Sequence, residues 1–147
     1  MSKTFWDEAT YQEVEKRVQS LTAESKPLWG KFNSSQMLSH CALVIGMSVG
    51  DVPTRFKSSF LCFTPIKKLI IYVVPFPKGA PTAPELLPAQ SCDFQQSKSE
   101  LLKAMAKLRS RRNGPFEIHA AFGELSLADW GALSYKHLDH HLRQFGA

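Results

Sequence analysis

The chain has 147 residues, 44% of them hydrophobic and 21% charged, which fits one domain spanning 1–147 with its own core and excludes a disordered or fibrous chain. Its formal charge of +5 and pI of about 9.2 are mildly basic, open to acidic partners but without the aromatic or groove motifs of a nucleic-acid binder. Three cysteines, Cys41, Cys62 and Cys92, odd in number and with no CxxC, argue against a disulfide framework and for a reducing, cytoplasmic setting.

The opening MSKTFWDEAT carries acids where a leader peptide would need an apolar run. Thr10 and Glu13 have the spacing of a capping box, and Tyr11, Val14, Val18 and Leu21 share one face, which predicts a first helix ending near Glu24, before Pro27. Asn33 and Gln36 make a second box, with Phe32 and Met37 spaced as a hydrophobic staple. That helix is expected to run to about Val49, with Gly50 beyond it.

The middle of the chain is less regular. Thr64 and Pro65 suit the start of a short helix over 66–74, although the β-branched residues of 70–74 would also suit a strand. The apolar stretch from Leu69 to Phe76 is far too short to span a bilayer, and no membrane partner is expected. Pro75, Pro77, Pro81, Pro84 and Pro88 then exclude a continuous helix. Long irregular segments in small domains often border functional sites.

Asp93 and Gln96 open a further helix carrying Phe94, Leu101, Met105 and Leu108 inward, stopped by Asn113-Gly114. Its far end gathers Lys103, Lys107, Arg109, Arg111 and Arg112, where cations complement the helix dipole. Ser126 and Asp129 open the last helix, with Leu125 and Trp130 as staple, running to about Phe145. The pattern predicts an all-α, four-helix bundle with a crossover connection and an extra short helical segment.

The histidines carry the chemistry. In SYKHLDHHLRQF, His137 and His141 lie about 40° apart and one turn apart on a helix, beside Trp130, Ser134 and Phe145 on the apolar stripe set by Leu127 and Leu138. Two imidazoles at i and i+4 can chelate one ion, although HxxxH alone is a weak signal. His140 falls at the edge of that stripe, and Asp139 points away from it. On the second helix Met37, Cys41, Val44 and Ser48 define the inward face, and His40 lies at its margin. A third imidazole is thereby available from a neighbouring helix.

Two blocks, PLWGKFNSSQMLSHCALVI from Pro27 to Ile45 and FGELSLADWGALSYKHLDHHLRQFG from Phe122 to Gly146, resemble the DinB/YfiT-like superfamily, and more closely a branch of it known only as a domain of unknown function. The resemblance covers essentially the whole chain. It implies a four-helix bundle in which a histidine on the second helix and an HxxxH pair on the last bind a divalent metal such as zinc or nickel. By motif these are His40, His137 and His141, all present here. His119 sits in HAAFGELS, where the resembling branch often has histidine followed by proline and this chain has Ala120. It is a candidate fourth ligand, a substrate contact or supporting group, or a plain loop residue.

Cys41 adjoins His40, but neighbouring helical residues diverge by about 100°, and a buried cysteine is also an ordinary core residue. No GxSxG, P-loop or GxGxxG occurs, and no catalytic base stands out. Trp29 and Gly30 read as structural, a packing aromatic and a tight turn. Three nitrogen ligands would leave a coordination position open, as in catalytic sites. Some relatives in the superfamily resemble thiol-dependent transferases. The expectation is therefore a metal-dependent enzyme of thiol-transferase or hydrolase type, with a small thiol and an electrophile as partners. The alternative is a non-catalytic bundle, a dimeric stress or binding protein with a storage or vestigial site.

Overall fold

The structure is a computed structural model describing residues 2–147. Five α-helices follow in order: α1 (Glu8–Ser20), α2 (Ser34–Ser48), α3 (Thr64–Tyr72), α4 (Phe94–Ser110) and α5 (Leu127–Gln144). Single 3-10 turns lie at Phe60–Cys62 and Pro84–Leu86. Among the described residues there is no strand, only an isolated bridge between His119 and Gly123. The expected four-helix bundle is present, with α3 as the extra segment inside the long connection from α2 to α4.

The caps at Asn33 and Ser126 form as reciprocal boxes with Gln36 and Asp129. The first helix departs from expectation. Its cap is Asp7, whose carboxylate accepts from both the amide and the hydroxyl of Thr10 at 2.9 Å, so Thr10 is capped and does not cap. It also ends earlier, at Ser20, because Leu21 turns extended into the core and Thr22 and Ser25 close a turn. The short segment is helical and not a strand, but it spans Thr64–Tyr72 in place of the expected 66–74, starting two residues earlier and ending two residues earlier. Thr64 is therefore inside the helix, and Phe63 precedes it without a side-chain cap.

α2 is the central element. It packs most extensively against α4 and also touches α5. Because it is covered on two sides, it buries Leu38, His40, Ile45 and Met47 in addition to Met37, Cys41 and Ser48. That wider buried arc brings His40 in from the margin of the face. The core continues through Val14 and Val18 of α1, Leu101, Met105 and Leu108 of α4, and Trp130, Leu138 and Leu142 of α5. Leu127 departs from its expected place on the inward stripe of α5: its side chain is exposed, and its carbonyl accepts from Trp6 Nε1 at 2.7 Å.

The start of α5 is held tightly. Phe5 N donates to Gly131 O at 2.9 Å, and a Cβ on Gly131 would fall on Thr4 Oγ1 and Trp6 Nε1. Arg109 donates to the carbonyls of Phe5 and Trp6, Arg111 to that of Val49, and Lys107 pairs with Asp51. Lys107, Arg109 and Arg111 at the basic end of α4 thus tether neighbouring segments. α3 is clamped onto α5 by two devices. Buried Asp129 accepts from Lys68 Nζ at 2.6 Å and Tyr72 Oη at 2.8 Å, and Lys136 donates to the carbonyls of Ile70 and Val74, closing the end of α3.

Candidate metal centre

The last helix delivers His137 and His141 from consecutive turns, and α2 delivers His40 opposite them. Their rings meet: His40 to His137 at 5.1 Å between centroids, His40 to His141 at 4.9 Å, and His137 to His141 at 4.6 Å. One ligand nitrogen from each lies within 4.8 Å of the others. His40 is buried, and the other two are half-buried.

The tautomers follow from the partners. His40 Nδ1 lies 2.7 Å from Leu86 O, and a carbonyl only accepts, so Nδ1 carries the proton and Nε2 presents its lone pair. His141 Nδ1 likewise donates to Gln144 Oε1 at 2.8 Å, freeing Nε2. Gln144 is itself fixed, since its Nε2 donates to Trp29 O at 2.9 Å and its carbonyl accepts from Leu28 N at 2.7 Å. Such partners orient ligating histidines and raise their basicity. His137 lacks one: its Nδ1 is buried with no protein partner.

His40 Nε2 and His137 Nε2 stand 3.2 Å apart. If His137 carries its proton on Nδ1, two lone pairs face each other. If the proton is on Nε2, a hydrogen bond forms but Nδ1 becomes a buried acceptor with no donor. A shared ion resolves the first arrangement. Two nitrogens about 2.0–2.1 Å from a tetrahedral zinc are separated by about 3.3 Å, close to the observed spacing. The donor set therefore fits a divalent ion.

Electrostatics favour the neutral rings that a metal requires. Burial pushes the His141 pKa down to about 4, with His40 adding to the effect. Burial, and then His141 and His40, hold His137 well below the ordinary imidazole range. His40 is lowered by burial, against the upward pull of the Leu86 carbonyl.

The other candidates fall outside the cluster. His119 Nδ1 accepts from the amides of Ala121 and Phe122 at 3.0 and 3.2 Å, and its ring packs on Trp130 at 5.6 Å. Burial, aided by Lys67, lowers its pKa to about 4. The structure thus holds it in a tight turn outside the three-histidine cluster, though near enough for its charge to act on His137. His140 flanks His141 at 5.2 Å and packs between Trp29 and Phe76, at 5.7 and 5.9 Å. Asp139 does point away from the cluster, where it pairs with Arg17 and Arg143. Cys41 is fully buried, burial pushes its pKa far up, and its thiol contacts Met37 Sδ.

Two supporting groups were not anticipated. Gln144 lies one turn beyond His141, a spacing at which a polar side chain naturally reaches the imidazole. Leu86 acts through its backbone, for which a sequence carries no residue-specific signal. Gly30 gains a sharper role as well: at φ +81° it is left-handed, and a Cβ there would come within 2.5 Å of Gln144 Nε2.

An all-α bundle with one histidine from its second helix and an HxxxH pair from its last defines a DinB/YfiT-like protein with a trihistidine cluster able to coordinate a divalent metal. Within that superfamily the chain belongs to the family described as "Protein of unknown function (DUF1569)", which matches residues 7–147. No curated protein and no solved structure matches it.

Proposed function

We propose that His40, His137 and His141 hold one divalent ion, zinc or nickel, and that the centre serves an enzyme of thiol-transferase or hydrolase type. The observation behind this reading is the approach of two imidazole Nε2 atoms to 3.2 Å, with the Nδ1 atoms of His40 and His141 turned to acceptors. Three nitrogen ligands leave room for a further one, as in catalytic rather than structural zinc sites. A bound ion of this kind lowers the pKa of a coordinated water or thiol and so supplies a nucleophile near neutral pH.

The chain's own residues act around that centre. Leu86 O and Gln144 Oε1 hold two rings in the ligating tautomer. Phe32 packs on His40 at 5.5 Å, and His140, itself flanked by Trp29 and Phe76, packs on His141. Lys78, 4.4 Å from the Trp29 ring centroid, places a cation at the same edge. His119 offers Nε2–H as a donor, since its Nδ1 is committed as an acceptor; a substrate contact or a supporting role fits that state.

The aromatic surround of Phe32, Trp29 and Phe76 also favours a second reading, a non-catalytic metal-binding bundle. Elemental analysis of protein purified without an affinity tag, before and after chelation, tests the metal. Cobalt-substituted protein titrated with small thiols then tests the reaction. A stoichiometric metal and a thiol-dependent spectral change are expected for the enzyme. Metal without a thiol response, and without turnover of electrophiles, esters or amides, selects the second reading. Absence of stoichiometric binding when zinc, nickel or cobalt is supplied overturns both.

A further inference from the structure

The chain's positive charge is concentrated in one place. It has 18 basic and 13 acidic residues, and the stretch from Val52 to Ala83 holds five of the basic residues and none of the acidic ones. The remainder balances at 13 of each. The five are Arg55, Lys57, Lys67, Lys68 and Lys78. Lys68 is neutralised by Asp129, but the other four have no carboxylate within ion-pair distance among the described residues.

The same stretch exposes several large apolar side chains. Phe60 is 70% exposed, Val73 69%, Phe63 62% and Leu69 48%. α3 buries Ile71 toward α5 and leaves Pro65 and Leu69 exposed on its outer face. The 3-10 turn before it has no buried residue. Folding therefore leaves exposed apolar side chains within a stretch that has basic but no acidic residues. Arg55 and Lys57 are unpaired there among the described residues, while Lys67 Nζ donates to Glu124 O and Lys78 lies over Trp29.

We propose that the Phe60–Val73 face is a peripheral docking surface for an anionic lipid bilayer. A short amphipathic element with aromatic and aliphatic residues outward and lysines beside them lies in the interfacial plane, its apolar groups entering the headgroup boundary while cations meet anionic lipids. Among the described residues no helix is long and apolar enough to cross a membrane, so the contact is one of lying on the surface. The expectation of no membrane partner, drawn from the lack of a span, did not address this mode. Charge argues against a second copy as the occupant, since a two-fold contact would bring the two cationic patches together. The apolar residues argue against a purely electrostatic polyanion.

Co-sedimentation of the full chain with phosphatidylcholine vesicles, with and without phosphatidylglycerol, tests the proposal. Binding to the anionic vesicles only, weakened by salt, is expected. Phe60→Ser with Phe63→Ser, and separately Arg55→Ser with Lys57→Ser, should each weaken it at least about tenfold. Circular dichroism and metal content should stay unchanged in these variants, because the altered side chains are exposed and make none of the hydrogen bonds that hold His40, His137 and His141. Failure to bind anionic vesicles overturns the proposal. So does binding that ignores Phe60 and Phe63, which would be charge alone. A dimer in solution that dissociates on Phe60→Ser with Phe63→Ser, without vesicle binding, assigns the face to a second copy instead.

Discussion

Replacing Gln144 with leucine tests whether the centre is organised from behind its ligands. The substitution keeps a similar volume but removes two hydrogen bonds, from His141 Nδ1–H at 2.8 Å and to Trp29 O at 2.9 Å. Each group left unpartnered costs about 1–3 kcal/mol where water cannot replace the bond. Because Trp29 and His141 are only half-buried, we expect about 1–3 kcal/mol in total. Loss of a supporting partner lowers metal affinity about 10- to 100-fold. Chelator competition gives the affinity, and thermal unfolding of metal-free protein gives the stability. Gln144→Glu separates orientation from packing: it keeps an acceptor for His141 and loses only the donor to Trp29, so affinity should be retained. If Gln144→Leu leaves affinity unchanged, or Gln144→Glu loses as much as leucine does, Gln144 does not orient His141.

Alanine at His40, His137 or His141 should abolish tight metal binding in chelator competition, whereas His140→Ala should weaken it only slightly; equal losses from all four would contradict the ligand assignment. Metal-free protein should lose stability on acidification. His119 and His141 have folded pKa values near 4 against about 6.5 when unfolded, so the unfolded chain takes up protons first and stability falls as pH drops through that window. From about pH 7 to pH 5 each contributes a loss of about 2 kcal/mol, measurable by urea unfolding, and a flat profile would refute the buried neutral state. Asp129→Ala removes the reciprocal half of the Ser126 capping box and the anchor of α3, and should cost about 1–3 kcal/mol by the same assay. Cys41, buried with its thiol pKa pushed far up, should resist alkylation in the native protein while Cys62 and Cys92 react; prompt modification of Cys41 would show that α2 opens.

The sequence made the bundle legible because its signals are local. Asn33 with Gln36 and Ser126 with Asp129 mark helix starts within four residues, and HxxxH places two rings on one face whatever the tertiary context. A local signal also misled at the first helix. Thr10 has the capping spacing with Glu13, but the Asp7 carboxylate takes the Thr10 amide, so the helix starts three residues earlier than that spacing implies. His40 looked marginal because a helical wheel assumes one covered face, whereas α2 is covered on two. What stayed hidden is long-range and partly main-chain: the Leu86 carbonyl on His40, and Trp29 and Leu28 meeting Gln144. The clamp of α3 onto α5 likewise depends on Lys68 and Lys136, which look like ordinary surface lysines in the sequence.

The contact between Gly30 and Gln144 Nε2 has an evolutionary consequence. The two blocks that identify the family are separated by 115 residues at the Trp29–Gln144 hydrogen bond, yet share one small volume. A side chain at position 30 displaces the amide that orients His141, and the left-handed backbone adds its own penalty. A shorter residue at 144 removes the steric half of that constraint and leaves His141 without its acceptor. Positions 30 and 144 should accordingly drift as a pair. Lineages that lose the three-histidine cluster should be the ones in which both are released from glycine and glutamine.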